Sequence, residues 1–419
     1  MSKSIPAAVL LAASSLSAAD SFRTAASAVN DLGIDLLAHA SKPQENTALS
    51  PYSIQIALAM TYAGAEGETR EQMAKVLHYP AGDSNIPRSF AALQNALDEM
   101  TSRTARLATE SKKSGGPSEP ITLTIANRLF GQNGYDFRPD YLKLLKEIFG
   151  APLETLDFVK SPAAATKRIN AWVEKQTRER IRNLISDNAL NKETRLVLAN
   201  AVYLKAPWAK EFNENATKPG PFHLAGGEAV DVPTMTRQDS FGYAKHEGFD
   251  AVALPYSGGD LQLLILLPDT AVGLPKLESK LTAALLMECA GLKSQDILLY
   301  LPRFKLEPPL FALRNMLKAL GMESAFNVPK GSANFNGIAP KRPDDYLYIS
   351  DVFHKTFVDV DEKGTEAAAA TAVVMMMATG HFEQKPKPIE VRVDRPFLFA
   401  IQHRPSGACL FLGRVADPR

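Results

Sequence analysis

The residue types that usually carry chemistry are thinly spread along this sequence. The histidines are His39, His78, His223, His246, His354, His381 and His403, and none has a second His or a Cys at metal-ligand spacing. Two cysteines, Cys289 and Cys409, stand far apart, which excludes a disulfide scaffold and a multi-Cys zinc site; two free buried thiols are favoured over a single bridge, which stays open. No Gly-x-Ser-x-Gly elbow, phosphate loop or Gly-x-Gly-x-x-Gly occurs. Scattered carboxylates cannot be paired from sequence, so a two-carboxylate hydrolase stays open with nothing to favour it. Neither a catalytic, a metal nor a cofactor site is expected.

One segment offers chemistry of the backbone instead. A strand over 355–360 runs into Asp361-Glu362-Lys363-Gly364, then Thr365-Glu366, four alanines, Thr371-Ala372-Val373-Val374, three methionines and Ala378-Thr379-Gly380-His381. The next strand begins near Ile389. A connection this long is usually functional or disordered, yet it lacks the Pro, Ser and charge of a disordered linker. Two conformations compete. Alanine favours helix and Thr365 would cap one. As a strand, the segment splits into two faces. Thr365, Ala367, Ala369, Thr371, Val373 and Met375 form an uncharged face that fits a core. Glu366, Ala368, Ala370, Ala372, Val374 and Met376 form the other, with Glu366 pointing to water.

The elements that must hold this segment read as helices first and strands after. Apolar spacing predicts helices over 26–39, over 54–63 behind a Ser50 cap and Pro51, along Phe90, Leu93, Leu97 and Met100, and over 163–185 with Ile169, Trp172 and Val173 inward. Residues 102–120 read as a polar surface loop. Strands are expected over 121–130, 196–205, 230–235, 241–245, 251–256, 261–267, 297–305, 355–360, 389–393, 397–402 and 409–415. Strands and helices do not alternate, which argues for an α+β fold with large, mostly antiparallel sheets.

The chain has 419 residues, 45% of them hydrophobic, with 47 Lys and Arg against 46 Asp and Glu. That is enough to bury a core without disulfides. A net charge of +1 lacks the basic excess that holds nucleic acid. No run of 18 apolar residues exists to span a membrane. Residues 1–19 have a short export-signal shape, with Lys3 before an apolar run and small residues before Asp20. With that leader removed the protein is secreted or periplasmic; otherwise it is cytoplasmic. Residues 20–419 show no linker and no repeat.

The quoted segment resembles the hinge and reactive loop of the serpins. The likeness runs from about residue 25 to the end: Asn46-x-x-x-Ser50-Pro-Tyr-Ser53, Leu198-Ala-Asn200 through Trp208 to Phe212, Val232-Pro-x-Met235, Leu301-Pro-Arg303-Phe304, His354-Lys355 through Glu362 to the alanines, Arg395-Pro396-Phe397 and Phe411-Leu-Gly413. The resemblance implies a single serpin domain, with helices around three large sheets and an exposed loop, and no enzyme. It implies a monomeric suicide inhibitor of serine proteases, some members taking cysteine proteases. The protease cleaves the loop and becomes acylated, and the loop then enters the main sheet as a new strand; strand addition by serpins is a known mode of recognition. A non-inhibitory serpin acting as a binding or folding protein is the alternative.

By the same likeness Gly364, Thr365, Glu366, Ala367, Ala368, Ala369 and Ala370 are the hinge, small enough to slide between strands apart from an outward Glu366. Trp208, Arg303 and Glu362 mark where insertion begins, with Glu362 paired to Arg303 as a surface ion pair contributing at most about 1 kcal/mol. Ser50, Ser53, Asn200 and His354 form a polar cluster beneath the sheet. The bait bond, sixteen residues past Glu362, is Ala378–Thr379, with Met377–Ala378 as runner-up. Lacking Lys or Arg there, it suits elastase-, subtilisin- or chymotrypsin-like pockets. Thr365→Arg should block insertion and turn the inhibitor into a substrate. On denaturing gels, covalent complexes at wild-type stoichiometry from this variant would contradict the reading.

Overall fold

A computed structural model describes residues 22–80, 82, 85–113, 119–366 and 387–419. The first helix, α1 (Arg23–Ala40), buries the expected Val29, Leu32, Leu36 and Leu37. After β1 (Thr47–Leu49), α2 (Pro51–Tyr62) starts where the sequence placed it. Ser50 is extended, its Oγ accepts the Ser53 N–H, and every residue of α2 is buried. Next come α3 (Gly67–Val76) and α4 (Ile86–Lys113). The loop expected from residue 102 is instead helix as far as Lys113. Thr104 and Ala108 continue the buried stripe of Phe90, Leu93, Leu97 and Met100 at four-residue spacing.

The chain continues through β2 (Thr122–Gln132), α5 (Pro139–Glu147), β3 (Glu154–Leu156) and α6 (Pro162–Gln176). The helix expected to reach residue 185 stops at Gln176. Thr177 Oγ1 donates to Val173 O and accepts the Ile181 N–H, at 2.9 and 3.1 Å. Arg178, Glu179 and Asn183 then take left-handed φ values of 48°, 64° and 52°. Ile181, Leu184 and Ile185 are nevertheless buried, because the turn folds back onto the face that α6 covers. Asn170 fixes this return: its side chain accepts the Ile185 N–H and donates to the Ile185 carbonyl, both at 2.8 Å.

The remaining elements are β4 (Leu196–Pro207), β5 (Lys218–His223), β6 (Ala229–His246), β7 (Phe249–Pro255), β8 (Leu261–Pro268), α7 (Leu274–Glu278), α8 (Ala283–Cys289), β9 (Ser294–Pro302), β10 (Phe304–Leu306), β11 (Phe311–Ala312), α9 (Arg314–Ala319), β12 (Val352–Lys355), β13 (Val358–Val360), β14 (Gly364–Thr365), β15 (Ile389–Arg392), β16 (Phe397–His403) and β17 (Ala408–Val415). The two strands expected over 230–245 are the single β6. It pairs with β5 and β9 along its first part and with β7 along its last, joining two of the three expected sheets into one nine-stranded network. Cys289 and Cys409 are free and buried. Among the described residues no helix is long and apolar enough to cross a membrane.

The other network runs β10-β13-β14-β4-β12-β11, with β2 also on β4. Its centre is a seam. β12 lies parallel to β4, with Val352 opposite Leu198 and Lys355 opposite Ala201. The strand expected over 355–360 breaks at Thr356–Phe357, and beyond the break β13 no longer pairs with β4. β14 sits between them, antiparallel to both. On one face α6 packs Ile169, Trp172 and Val173 with Val197, Ala199 and Ala201 of β4 and Phe353 of β12, across the closed part of the seam. Asn170→Ala should free the turn after α6 and lower stability by about 2 kcal/mol through two lost buried hydrogen bonds. A urea midpoint equal to wild type would contradict this.

Candidate functional site: the parted seam

Gly364 and Thr365, two of the residues expected to form a hinge, are strand. Thr365 pairs with Val360 on one side and Ala206 on the other, and Gly364 with Pro207. Glycine is required here: φ at Gly364 is 149°, and a Cβ would lie 2.1 Å from the Ala206 carbonyl oxygen. Residues 361–364 make the turn into β14. The Asp361 carboxylate accepts the N–H groups of Lys363 and Gly364 at 2.8 and 3.1 Å. Thr365 faces the core, as the uncharged strand face demanded, and its hydroxyl is 2.6 Å from the Tyr256 hydroxyl. Burial pushes the Tyr256 phenol up, although the bond to Thr365 opposes it.

Trp208, Arg303 and Glu362 meet at the end of the seam. Trp208 Nε1 donates to Asp361 O at 2.9 Å, its N–H donates to Lys363 O at 2.8 Å, and its indole stacks on Tyr256 with centroids 4.6 Å apart. Arg303 donates to Glu362 Oε1 from Nε at 2.8 Å, with Nη2 at 2.5 Å, and Thr217 donates to the same oxygen. The expected pair forms, with Arg303 44% exposed as at a surface, but the Glu362 side chain is only 4% exposed, so the pair is surface-facing on the Arg303 side alone. Burial alone would raise its pKa. The hydrogen bonds from Arg303 and Thr217 prevail and hold the carboxyl below its usual range.

Beneath the sheet, Asn127, Asn200 and His354 stand in one row across β2, β4 and β12. Asn200 Nδ2 donates to Ser53 Oγ and Asn127 Oδ1, both at 2.6 Å. Ser50 Oγ donates to Leu410 O at 2.6 Å. The Ser50 N–H donates to His354 Nε2 at 3.0 Å, so the ring is neutral with its proton on Nδ1, which donates to Asn200 Oδ1 at 2.5 Å. Burial pulls the pKa of His354 down to about 3.

The sheet is thus opened at one end, with β14 of its own chain wedged between β13 and β4. The family model Serpin, serine protease inhibitor, matches residues 27–418. The chain belongs to the serpin family. It is 39% identical over 397 residues to a leukocyte elastase inhibitor of Bos taurus, covering 93% of this chain and 97% of that one. It is 34% identical over 418 residues to plasminogen activator inhibitor 2 of Homo sapiens, covering 92% and 97%. Uncleaved ovalbumin superposes with a TM-score of 0.76 at 30% identity, covering 94% of this chain and 99% of that one.

In this serpin Ser50, Ser53, Asn200 and His354 come together as expected, and so do Trp208, Arg303 and Glu362. Sequence reasoning missed Asn127, Tyr256 and Thr217. Asn127 alone carried a signal, as a polar residue inside an apolar strand. Glu366 departs from expectation. Its side chain is 9% exposed and paired with Arg180, not turned to water. Ala367, Ala368, Ala369, Ala370, Met377, Ala378 and Thr379 lie outside the described residues.

His354 makes a pH prediction. Its native pKa is depressed from 6.5 to about 3. The unfolded chain therefore binds a proton that the native protein refuses in this window. The stabilisation from neutral His354 is complete above pH 6.5 and is lost as pH falls toward 3, by up to about 1.4 kcal/mol per pH unit. His354→Gln should flatten the decline in urea midpoint between pH 6.5 and 4.5. Parallel profiles would contradict a buried neutral imidazole.

Proposed function

We propose that this serpin is an irreversible suicide-substrate inhibitor of serine proteases, of elastase-, subtilisin- or chymotrypsin-like specificity, with cysteine proteases as a secondary class. The observation that carries this reading is the wedge itself: Gly364 and Thr365 sit between β13 and β4 in the uncleaved chain. The leukocyte elastase inhibitor among the relatives supports the preference for small apolar residues at the bait.

The bait bond is Ala378–Thr379, with Met377–Ala378 second. The serine Oγ of the protease attacks the Ala378 carbonyl carbon. The carbon–nitrogen bond to Thr379 breaks, the amine departs with the proton taken from the serine, and an ester joins Ala378 to the protease. Freed of its far anchor, the chain after Thr365 extends β14 down the seam. Each added residue pairs its backbone with β4 on one side and the strand across the seam on the other, and buries alternate apolar side chains. About 14 residues at roughly 3.3 Å carry the acylated protease on the order of 45 Å. This outruns hydrolysis of the ester. The protein is a substrate that traps its enzyme and is no catalyst itself. It works as a monomer without a cofactor, and outside the cytoplasm if residues 1–19 are cleaved.

Incubation with elastase, subtilisin, chymotrypsin and trypsin followed by denaturing gels tests the proposal. A gel-stable complex with one of the first three is expected, with mass spectrometry placing the cut after Ala378 or Met377. Cleavage solely after Lys385, or complete turnover without complex, would overturn it.

A further inference from the structure

Glu366 is the last described residue before the bait, and its setting is unusual. Its N–H donates to Asp359 O at 2.8 Å, so strand pairing extends just past Thr365. Its own φ is then 48°, left-handed, so strand geometry ends at this residue. Thr365 faces Tyr256 and the main core, so Glu366 belongs to the opposite face, where α6 and the turn after it lie. There Arg180 donates from Nε to Glu366 Oε1. The other oxygen, Oε2, is buried with no hydrogen-bond partner among the described residues. Asp359 adds negative charge nearby, Lys205 and Arg180 positive charge, and Tyr203 and Arg178 flank the group. Burial dominates and raises the Glu366 pKa despite Arg180.

Arg180 is well placed to act on the seam. The Arg180 N–H donates to Thr177 O at 2.9 Å, and the next residue, Ile181, is buried under α6. Its guanidinium also lies 5.5 Å from the centroid of Phe357, at the break where β13 leaves β4. One side chain thus touches both Phe357 at the fork of the seam and Glu366, the last described hinge residue. We propose that Arg180 is a positioning residue for the hinge: by neutralising the buried Glu366 carboxylate it holds β14 at its present depth and ties deeper insertion to displacement of the turn after α6. An extended β14 needs Glu366 out of its left-handed conformation, which pulls on Arg180. The same turn is fastened to the helix covering the closed seam, so latch and cover move together. The role is assigned through charge. Without Arg180 an unpaired carboxylate would be stranded in a buried site, and β14 would withdraw to return it to water.

This rests on the insertion reading, but its test needs no protease. Hydrogen exchange of the uncleaved full chain is followed at the Glu366 amide for wild type, Arg180→Ala and the double variant Arg180→Ala/Glu366→Gln. Arg180→Ala should exchange about tenfold faster or more, as β14 opens. The double variant should return to within about threefold of wild type, since a neutral amide needs no counter-charge. Unchanged exchange in Arg180→Ala would overturn the proposal. So would fast exchange that the double variant fails to slow, because Arg180 would then act by packing and not through Glu366. Failure to trap proteases would contradict the inhibitor reading and leave these exchange results as they stand.

Discussion

The parallel pairing of β4 with β12 is the constraint on which the rest of this molecule depends. Both strands have antiparallel partners on their far sides, β2 and β11. Their mutual pairing covers four residue pairs and ends at the Thr356–Phe357 break. Parallel pairing is slightly weaker per residue than antiparallel. A strand slid between them exchanges one short parallel ladder for two antiparallel ones. β14 is paired on both sides at Thr365, with Val360 of β13 and Ala206 of β4. On the proposed mechanism this seam is the place that a strand from the same chain takes after cleavage.

Polar and packed groups line that seam on both faces. On the core face the Asn127–Asn200–His354 row crosses the line along which strands must part. Opening the seam pulls His354 from Asn200, so the row has to re-form its hydrogen bonds with whatever enters; buried polar groups left unmatched are costly. On the opposite face α6 lies over the closed stretch. At the open end Glu362 is clamped by Arg303 and Thr217, while Trp208 and Tyr256 stack beneath the turn into β14. These contacts hold the turn into β14 at the open end and leave the seam itself held by a short ladder.

Much of this was legible in the residues. The Ser50-Pro51 helix start, the all-buried α2 and the stripes of α1 and α4 follow from spacing alone. The small uncharged face beginning at Thr365 is borne out for the one residue of that face that is described. What failed did so for physical reasons. The apolar period of 181–185 belongs to a turn that returns to the face of α6, and periodicity cannot tell a helix from a fold-back that buries the same side. The helix beyond residue 102 was hidden by its polar surface, with Thr104 and Ala108 too small to declare a core. Glu366 was assigned to water because a lone carboxylate usually goes there. Its partner Arg180 is 186 positions away, and no pattern within one segment reveals such a pairing. Thr217 and Tyr256 were equally silent, being ordinary residues made special by the strand beside them.

The most direct measurement compares the melting temperature of the intact protein with that of the same protein nicked once in the segment between Glu366 and Ile389. A chain that completes its sheet after the cut gains backbone pairing along the whole seam and should melt many degrees higher than the uncut form. Equal or lower melting after the cut would show that the severed chain stays outside the sheet, and the account of a sheet awaiting its own strand would be wrong.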